Sequence, residues 1–341
     1  MKPILSICIP NYNGAKNIQR AIKSCNNVNL NHDEFEILVV DNASTDNSLG
    51  VVEQLRETFP NVFVHKNSAN IGRVENWNKC IDLARGRYLM FLFANEEVHE
   101  EADLKTDVDM LEQNHGVSLI MKDIDYRYPD YCYRLFNIPG THCFSLTAYT
   151  DYFLRRRLLF ICFGIPQQMI FRLSTLREHG LRYDPTLART ADRVFNFQVM
   201  KASIDSSFIY RNIPNVIWNL DSGRFHFQMH QSFENLDFNS IWAQEFSANR
   251  AIMLELGYSE FEILNIHLSQ CISIKLYAKL KGFKNKEQVL VDMFIGYLKA
   301  YSRINGVKTN FFWQIGMLAR KSFYLLFDKK FRLLVARAST I

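Results

Sequence analysis

Three polar segments stand directly after short apolar runs near the N-terminus: Pro10-Asn11-Tyr12-Asn13-Gly14, Asp41-Asn42-Ala43-Ser44-Thr45-Asp46 and Phe93-Ala94-Asn95-Glu96-Glu97. An aspartate at the carboxyl end of a strand accepts hydrogen bonds from a base edge or a ribose hydroxyl, and a tyrosine offers a base a flat apolar face. Asp41 and Tyr12 therefore read as candidate nucleotide contacts. Helix capping is the competing role for the polar residues that follow; Ser44 and Asp46 suit it, whereas Asp41 comes too early. Neither Gly-x-Gly-x-x-Gly nor Gly-x-x-x-x-Gly-Lys-Ser/Thr follows the first apolar run, so the ordinary dinucleotide fingerprint and the P-loop are both excluded.

Strands and helices that carry these segments are legible in the same stretch. Residues 5–9, 35–40, 61–65 and 88–93 are apolar runs of strand length, and 17–25, 47–59 and 73–84 repeat apolar residues at helical spacing. Strands that alternate with helices and are apolar almost throughout imply a parallel sheet covered on both faces, with ligands beyond the strands' carboxyl ends. Farther on, 100–113, 147–159, 174–179 and 191–202 read as helices, 169–172 and 207–218 as strands, and 123–144 as aromatic-rich irregular chain. Beyond about residue 230 the pattern is mostly helical.

Ser-Ile-Cys-Ile-Pro-Asn-Tyr-Asn at 6–13, followed by Ile-Leu-Val-Val-Asp-Asn-Ala-Ser-Thr-Asp at 37–46, resembles the opening of the family 2 glycosyltransferases of the GT-A fold. Asn70-Ile71-Gly72-Arg73, Asn76, Ala84-Arg85-Gly86 and the strand at 88–92 continue the likeness in order and spacing over residues 4–97, with a weaker echo over 166–225. The resemblance implies a Rossmann-like, mostly parallel α/β sheet with helices on both faces. It implies a GT-A domain over 1–228, made of a nucleotide-binding half (1–97) and an acceptor-binding half (98–228), and a helical C-terminal region over 229–341. It also implies that Pro10, Asn11, Tyr12, Asn13 and Asp41 hold the nucleotide, with Asn70, Gly72, Arg73 and Asn95 at the diphosphate sugar. The plainer reading of Gly72 is a turn glycine.

Members of that family usually end the fourth strand with Asp-x-Asp, which holds Mg²⁺ or Mn²⁺ on the donor diphosphate. Here Phe93 takes the first position, Asn95 the second, and Glu96 the acidic place beside them. A hard cation takes oxygen ligands, so Asn95 and Glu96 are the candidate ligands. The competing reading makes Glu96, Glu97, Glu100 and Glu101 a solvated acidic helix start.

An inverting transfer needs one carboxylate to take the acceptor's proton. By resemblance that base lies at a helix start within 182–192, and Asp192 is the candidate, with Asp184 second; N-terminal capping after Thr190 is the other role open to Asp192. Pro166-Gln167-Gln168 is expected to face the acceptor, and Arg224 or His226, near Ser222-Gly223-Arg224, to touch phosphate. His226 and His230 also read as ordinary surface or core histidines.

Composition and charge set the remaining bounds. The chain has 341 residues, 48% hydrophobic and 22% charged, with 14 Gly and 8 Pro, which excludes collagen-like and low-complexity classes. No apolar run reaches the roughly 18–20 residues of a membrane helix, and the opening residues read as a strand and not as a signal peptide. Seven cysteines without a Cys-x-x-Cys pair exclude a zinc ribbon and a disulfide framework, and fit a reducing cytosol. Of the net +5, residues 271–341 carry +11 (14 Lys+Arg against Glu287, Asp292 and Asp328) and residues 1–270 carry −6. With Phe312, Ile315, Ala319, Phe323 and Leu326 at helical spacing, this basic tail suits an anionic membrane surface or packing on the protein's own core. No nucleic-acid motif accompanies the charge.

With these bounds, the resemblance implies an inverting enzyme that moves a sugar from a UDP-sugar to a hydroxyl of a growing surface glycan or lipid-linked oligosaccharide, expected to be cytoplasmic and peripheral on the inner face of the plasma membrane. A non-catalytic relative that binds nucleotide or glycan, and a nucleotidyltransferase, are the alternatives. The latter wants a Gly-rich basic loop after the first strand, which the sequence lacks.

Overall fold

Leu5–Asn11 (β1) and Phe35–Asp41 (β2) are buried almost from end to end, the environment that a nearly continuous apolar strand requires. They pair in parallel in the computed structural model, which describes residues 2–127, 132–134, 138–155, 164–187, 191–219, 238–260 and 263. Val62–Lys66 (β3) flanks β2, and Tyr88–Phe91 (β4) lies on the other side of β1, both parallel. Ile18–Ser24 (α1), Ser48–Thr58 (α2) and Arg73–Leu83 (α3) are the connecting helices.

Strand alternation decides which helix covers which face. Leu5, Ile7 and Ile9 share one core cluster with Ile37 and Val39, with Ile18, Ala21 and Ile22 of α1, and with Val52 and Leu55 of α2. Cys8 points the other way, and its thiol lies against the Cys80 carbonyl of α3. Helices therefore lie on both faces. Full burial of each such Leu or Ile contributes roughly 1.5–3 kcal/mol.

The second half extends the same sheet. In chain order it adds Glu96–Val98 (β5), Leu104–Gln113 (α4), Leu119–Arg127 (β6), Cys132–Arg134 (β7), Thr141–Ser145 (β8), Leu146–Arg155 (α5), Met169–Arg172 (β9), Leu173–Glu178 (α6), Ala191–Lys201 (α7) and Ser207–Asn219 (β10). The strand order is β3-β2-β1-β4-β9-β6-β10-β5, with β7 on β6 and β8 on β10. β1 to β4, β6 and β10 run one way; β5, β7, β8 and β9 run the other. The sheet is thus mostly parallel with antiparallel members, and the register of β10 on β6 shifts around Pro214, which has no N–H for the ladder.

Residues 123–144, expected to be irregular, contain most of β6 together with β7 and β8. Buried polar side chains misled the periodicity reading. Lys122 and Asp107 are both wholly buried and form an ion pair, to which Arg211 adds a second cation on Asp107. Asp123 accepts from the Tyr210 hydroxyl at 2.9 Å, and Asp125 meets His99 and Arg134. Most of these partners are remote in sequence, so the residues read as loop when only neighbours are considered.

Met1–Tyr152 with Cys162–Phe225 form one compact unit, and Phe153–Ile161 with His226–Ile341 a second. Within the second, Phe238–Glu255 is a helix (α8). The basic tail expected at a membrane, and Arg224, His226 and His230, lie outside the described residues. Among the described residues no helix is long and apolar enough to cross a membrane.

Candidate active site

The loops after β1 and β2 are braced against one another. Asp41 is fully buried, and its carboxylate accepts from the Asn11 amide (2.8 Å), the Ser44 hydroxyl (2.6 Å) and the Ser44 backbone N–H (2.9 Å). Asn13, at φ 52°, accepts on its side-chain oxygen from the Thr45 N–H and, more distantly, the Asp46 N–H. Asp46 accepts from the backbone of Ala15 and of Ser48, but it stands one residue before the N-cap of α2, Asn47, which makes no side-chain cap; Ser44, the other capping candidate, serves Asp41 instead. Tyr12 stands beside this brace with half its surface exposed (51%). Pro10, in β1, is half-buried.

A second network of asparagines shapes the loop before α3. Buried Asn42 donates to Asn70 and accepts from Asn67 and from the Ile71 N–H; Asn67 also donates to Asn76, which donates to the Val40 carbonyl. Gly72 begins α3 at φ 88°, ψ 160°, a conformation open essentially to glycine alone. The network leaves Asn70, Gly72 and Arg73 exposed. Arg73 sits over the Trp77 ring, 5.0 Å from its centroid. The Ala84-Arg85-Gly86 motif is structural. Arg85 pairs with buried Glu36, and a Cβ on Gly86 would meet the backbone of Leu5 and Ser6 under 3 Å away.

Asn78, also on α3, ties this half of the sheet to the region of the expected base. It donates to the Tyr183 carbonyl (2.9 Å) and accepts from the Tyr183 N–H (2.8 Å). The Tyr183 ring is stacked on Phe195 of α7 and meets Trp77 and Phe91 edge-on. Asp192 lies in the first turn of α7, where the helix dipole favours a carboxylate, and accepts from the Arg193 N–H (2.8 Å). Burial raises its carboxyl above the ordinary aspartate range, against the pull of Arg193 and Arg73. Tyr183 answers to the same neighbour: burial and then the negative charge of Asp192 push its hydroxyl well up. Asp192 is therefore brought within electrostatic reach of Arg73, whereas Asp184 is exposed and accepts from Thr186 in a local turn.

The fourth-strand segment departs most from expectation. Phe93 packs on Trp77, with ring centroids 5.5 Å apart. Glu96 lies in β5, buried, accepting from the Gln167 amide (2.7 Å) and the Phe93 N–H (2.9 Å); burial pushes its carboxyl up to about 8 against those two donors. Glu97 meets Arg20, Arg127 and Asn219, and the Asn95 carbonyl accepts from Asn219. This is no solvated helix start. Gln167 and Gln168, expected to face an acceptor, are buried and bond inward to Glu96 and the Lys122 carbonyl. Among the described residues no cluster of three His, Cys, Asp or Glu could hold a metal. Phe93 supplies no oxygen, Asn95 brings no charge, and Glu96 is a buried carboxyl raised to about 8 whose oxygens each accept a hydrogen bond, so the Asn95–Glu96 pair lacks the several anionic oxygens that a divalent ion takes.

The glycosyl transferase family 2 model matches residues 6–179 of the 341. The chain belongs to glycosyl transferase family 2. Among its relatives in that family is the poly(ribitol-phosphate) beta-glucosyltransferase of Bacillus spizizenii, 25% identical over 212 residues, 60% of this chain and 31% of that one. Another is the poly(ribitol-phosphate) beta-N-acetylglucosaminyltransferase TarS of Staphylococcus aureus, 23% identical over 305 residues, 88% of this chain and 45% of that one. The chain thus spans less than half the length of these curated relatives. The solved structure of TarS residues 1–349 with UDP-GlcNAc superposes at a TM-score of 0.63 and 19% identity, covering 88% of this chain and 80% of that one, a likeness of fold. The family match reaches beyond the residues that first carried the resemblance and includes the β4–β9–β6 region of this glycosyltransferase-family sheet.

Residues that sequence reasoning passed over hold this site together: Asn42, Asn67 and Asn78 in the hydrogen-bond networks, and Trp77 beneath Arg73. The density of asparagine from 67 to 78 was the available signal.

Proposed function

We propose that the chain transfers one sugar from a nucleoside diphosphate, with UDP the preferred nucleotide, to a hydroxyl of a cell-surface polymer or its lipid-linked precursor, with inversion at the anomeric carbon. The observation that carries this reading is the position of Asp192 in the first turn of α7, behind Tyr183, which α3 holds through Asn78; the Arg73 charge of the same helix pulls on the Asp192 carboxyl.

In this reading the base lies on the exposed Tyr12 ring and the Asn13 backbone. Asp41 fixes that surface from beneath through Asn11 and Ser44. Pro10 lies at the penultimate position of β1, Asn70 and Gly72 shape the loop below the diphosphate, and Asn95 borders the sugar. Arg73 faces the charge that builds on the leaving phosphate; a preoriented cation there lowers the barrier because it is already in place when charge develops. Asp192 takes the proton of the acceptor hydroxyl as its oxygen bonds the anomeric carbon and the bond to the diphosphate breaks. A carboxyl raised above the aspartate range is a stronger base nearer neutral pH. The names of the poly(ribitol-phosphate) transferases support a polyol or glycan hydroxyl as the acceptor. The basic excess of residues 271–341 supports work at the anionic cytoplasmic face of a membrane.

The test is UDP release by purified protein from a panel of UDP- and GDP-sugars, with polyol-phosphate polymer as acceptor. Acceptor-dependent release from a UDP-sugar, with an inverted anomer in the product, is the expected result. Nucleotide binding without turnover for any donor would favour a protein that keeps the fold and has lost the chemistry.

A further inference from the structure

We infer that this chain binds its donor without a divalent cation, an aromatic–arginine stack occupying the place where a metal's carboxylates would stand; the inference rests on the donor reading above. Three observations combine. Phe93, at the position of the first expected carboxylate, packs its ring on Trp77 at 5.5 Å. Trp77 carries on its ring the guanidinium of Arg73, 5.0 Å from the centroid. The acidic residues next in sequence are already engaged: Glu96 by the Phe93 N–H and Gln167, Glu97 by Arg20 and Arg127.

A hard divalent ion needs several oxygen ligands and at least some anionic charge to leave water. Turning Glu96 toward a metal would take the acceptor from a buried amide and a backbone N–H, and leaving such groups unpaired in folded protein is destabilising. A guanidinium has neither demand. Its planar fork matches two phosphate oxygens, and the Trp77 ring holds its plane and shields one side from water. Phe93 in turn fixes Trp77, so the aromatic residue at the metal position acts through the ring that carries the cation.

Calorimetry of UDP binding to the full-length protein in EDTA and in Mn²⁺ tests this. The expected dissociation constants agree within about twofold, and Arg73→Gln weakens binding about tenfold or more in both buffers. Binding more than about tenfold tighter in Mn²⁺ would overturn the inference while leaving the donor reading intact. Absence of UDP binding in both buffers would overturn the donor reading and the inference with it. The paired variant Phe93→Asp with Asn95→Asp, checked for folding by its thermal transition, is expected to acquire Mn²⁺-dependent tightening; equal Mn²⁺ response in wild type and variant would count against the role given to Phe93.

Discussion

Asn11 donates its side-chain amide to the fully buried carboxylate of Asp41 at 2.8 Å, locking together the carboxyl ends of two parallel strands. Ser44 completes the grip from the loop that follows. Replacing Asp41 by Ala strands those donors in a dry setting. A loss of about 1–3 kcal/mol in unfolding free energy is expected, measured by denaturant titration, together with weaker UDP binding. Unchanged stability would mean that the loops are held by other contacts.

Gly72 offers a cleaner perturbation of the same surface. Its φ of 88° strains any L-residue, yet a Cβ there meets nothing within 4 Å. Gly72→Ala is therefore expected to act through backbone strain alone, destabilising by about 1–3 kcal/mol or shifting the Asn70–Arg73 loop. The thermal midpoint and the UDP dissociation constant report which; an unaffected pair would show that the loop does not need this conformation.

Asp107 bears on the second half of the sheet. It joins the buried cations Lys122 and Arg211, with Asp103 assisting at Arg211. Asp107→Ala leaves uncompensated buried charge and is expected to cost about 3–5 kcal/mol in a denaturant melt. A loss below about 1 kcal/mol, the range of an exposed pair, would mean that water reaches the cluster.

Glu96 makes stability depend on pH. Its carboxyl is raised from an ordinary 4.5 to about 8 in the folded protein by burial. The folded state therefore prefers the neutral form: the contribution is fully present below about 4.5 and is lost as pH rises through about 8. At roughly 1.4 kcal/mol per tenfold change in proton affinity, the swing is on the order of 4–5 kcal/mol at most. Glu96→Gln should flatten the pH dependence of the unfolding midpoint between those limits. A wild-type profile already flat there would show the carboxylate to be ionised and solvated.

The first half of the fold was legible because its strands are apolar on both faces, so runs of hydrophobic residues mark them directly. β1 to β4 and α1 to α3 fall within a few residues of the expected positions. β5 and β6 were not legible, because their buried positions include Glu96, Lys122, Asp123 and Asp125, and β8, which is nowhere fully buried, carries no apolar run to mark it. Glu96 is satisfied by Gln167 and Asp123 by Tyr210, both far along the chain, and a local pattern holds no trace of such partners. The resemblance singled out Asp41, Arg73 and Asp192; Asp41 is buried in the brace between the first two loops, and Asp192 begins α7 where the Arg73 charge acts on its carboxyl. It also singled out Asn95 and Glu96, whose oxygens serve the protein's own backbone and side chains.

The proposed role of Asp192 is to remove the acceptor's proton. Single-turnover sugar transfer by wild type and Asp192→Asn, with UDP affinity measured alongside, tests it most directly. The expected rate is lower by about 10²–10⁴ with UDP still bound, and the wild-type rate falls on acidification at a pH above the ordinary aspartate value of 3.8. Transfer at the wild-type rate by Asp192→Asn would contradict it.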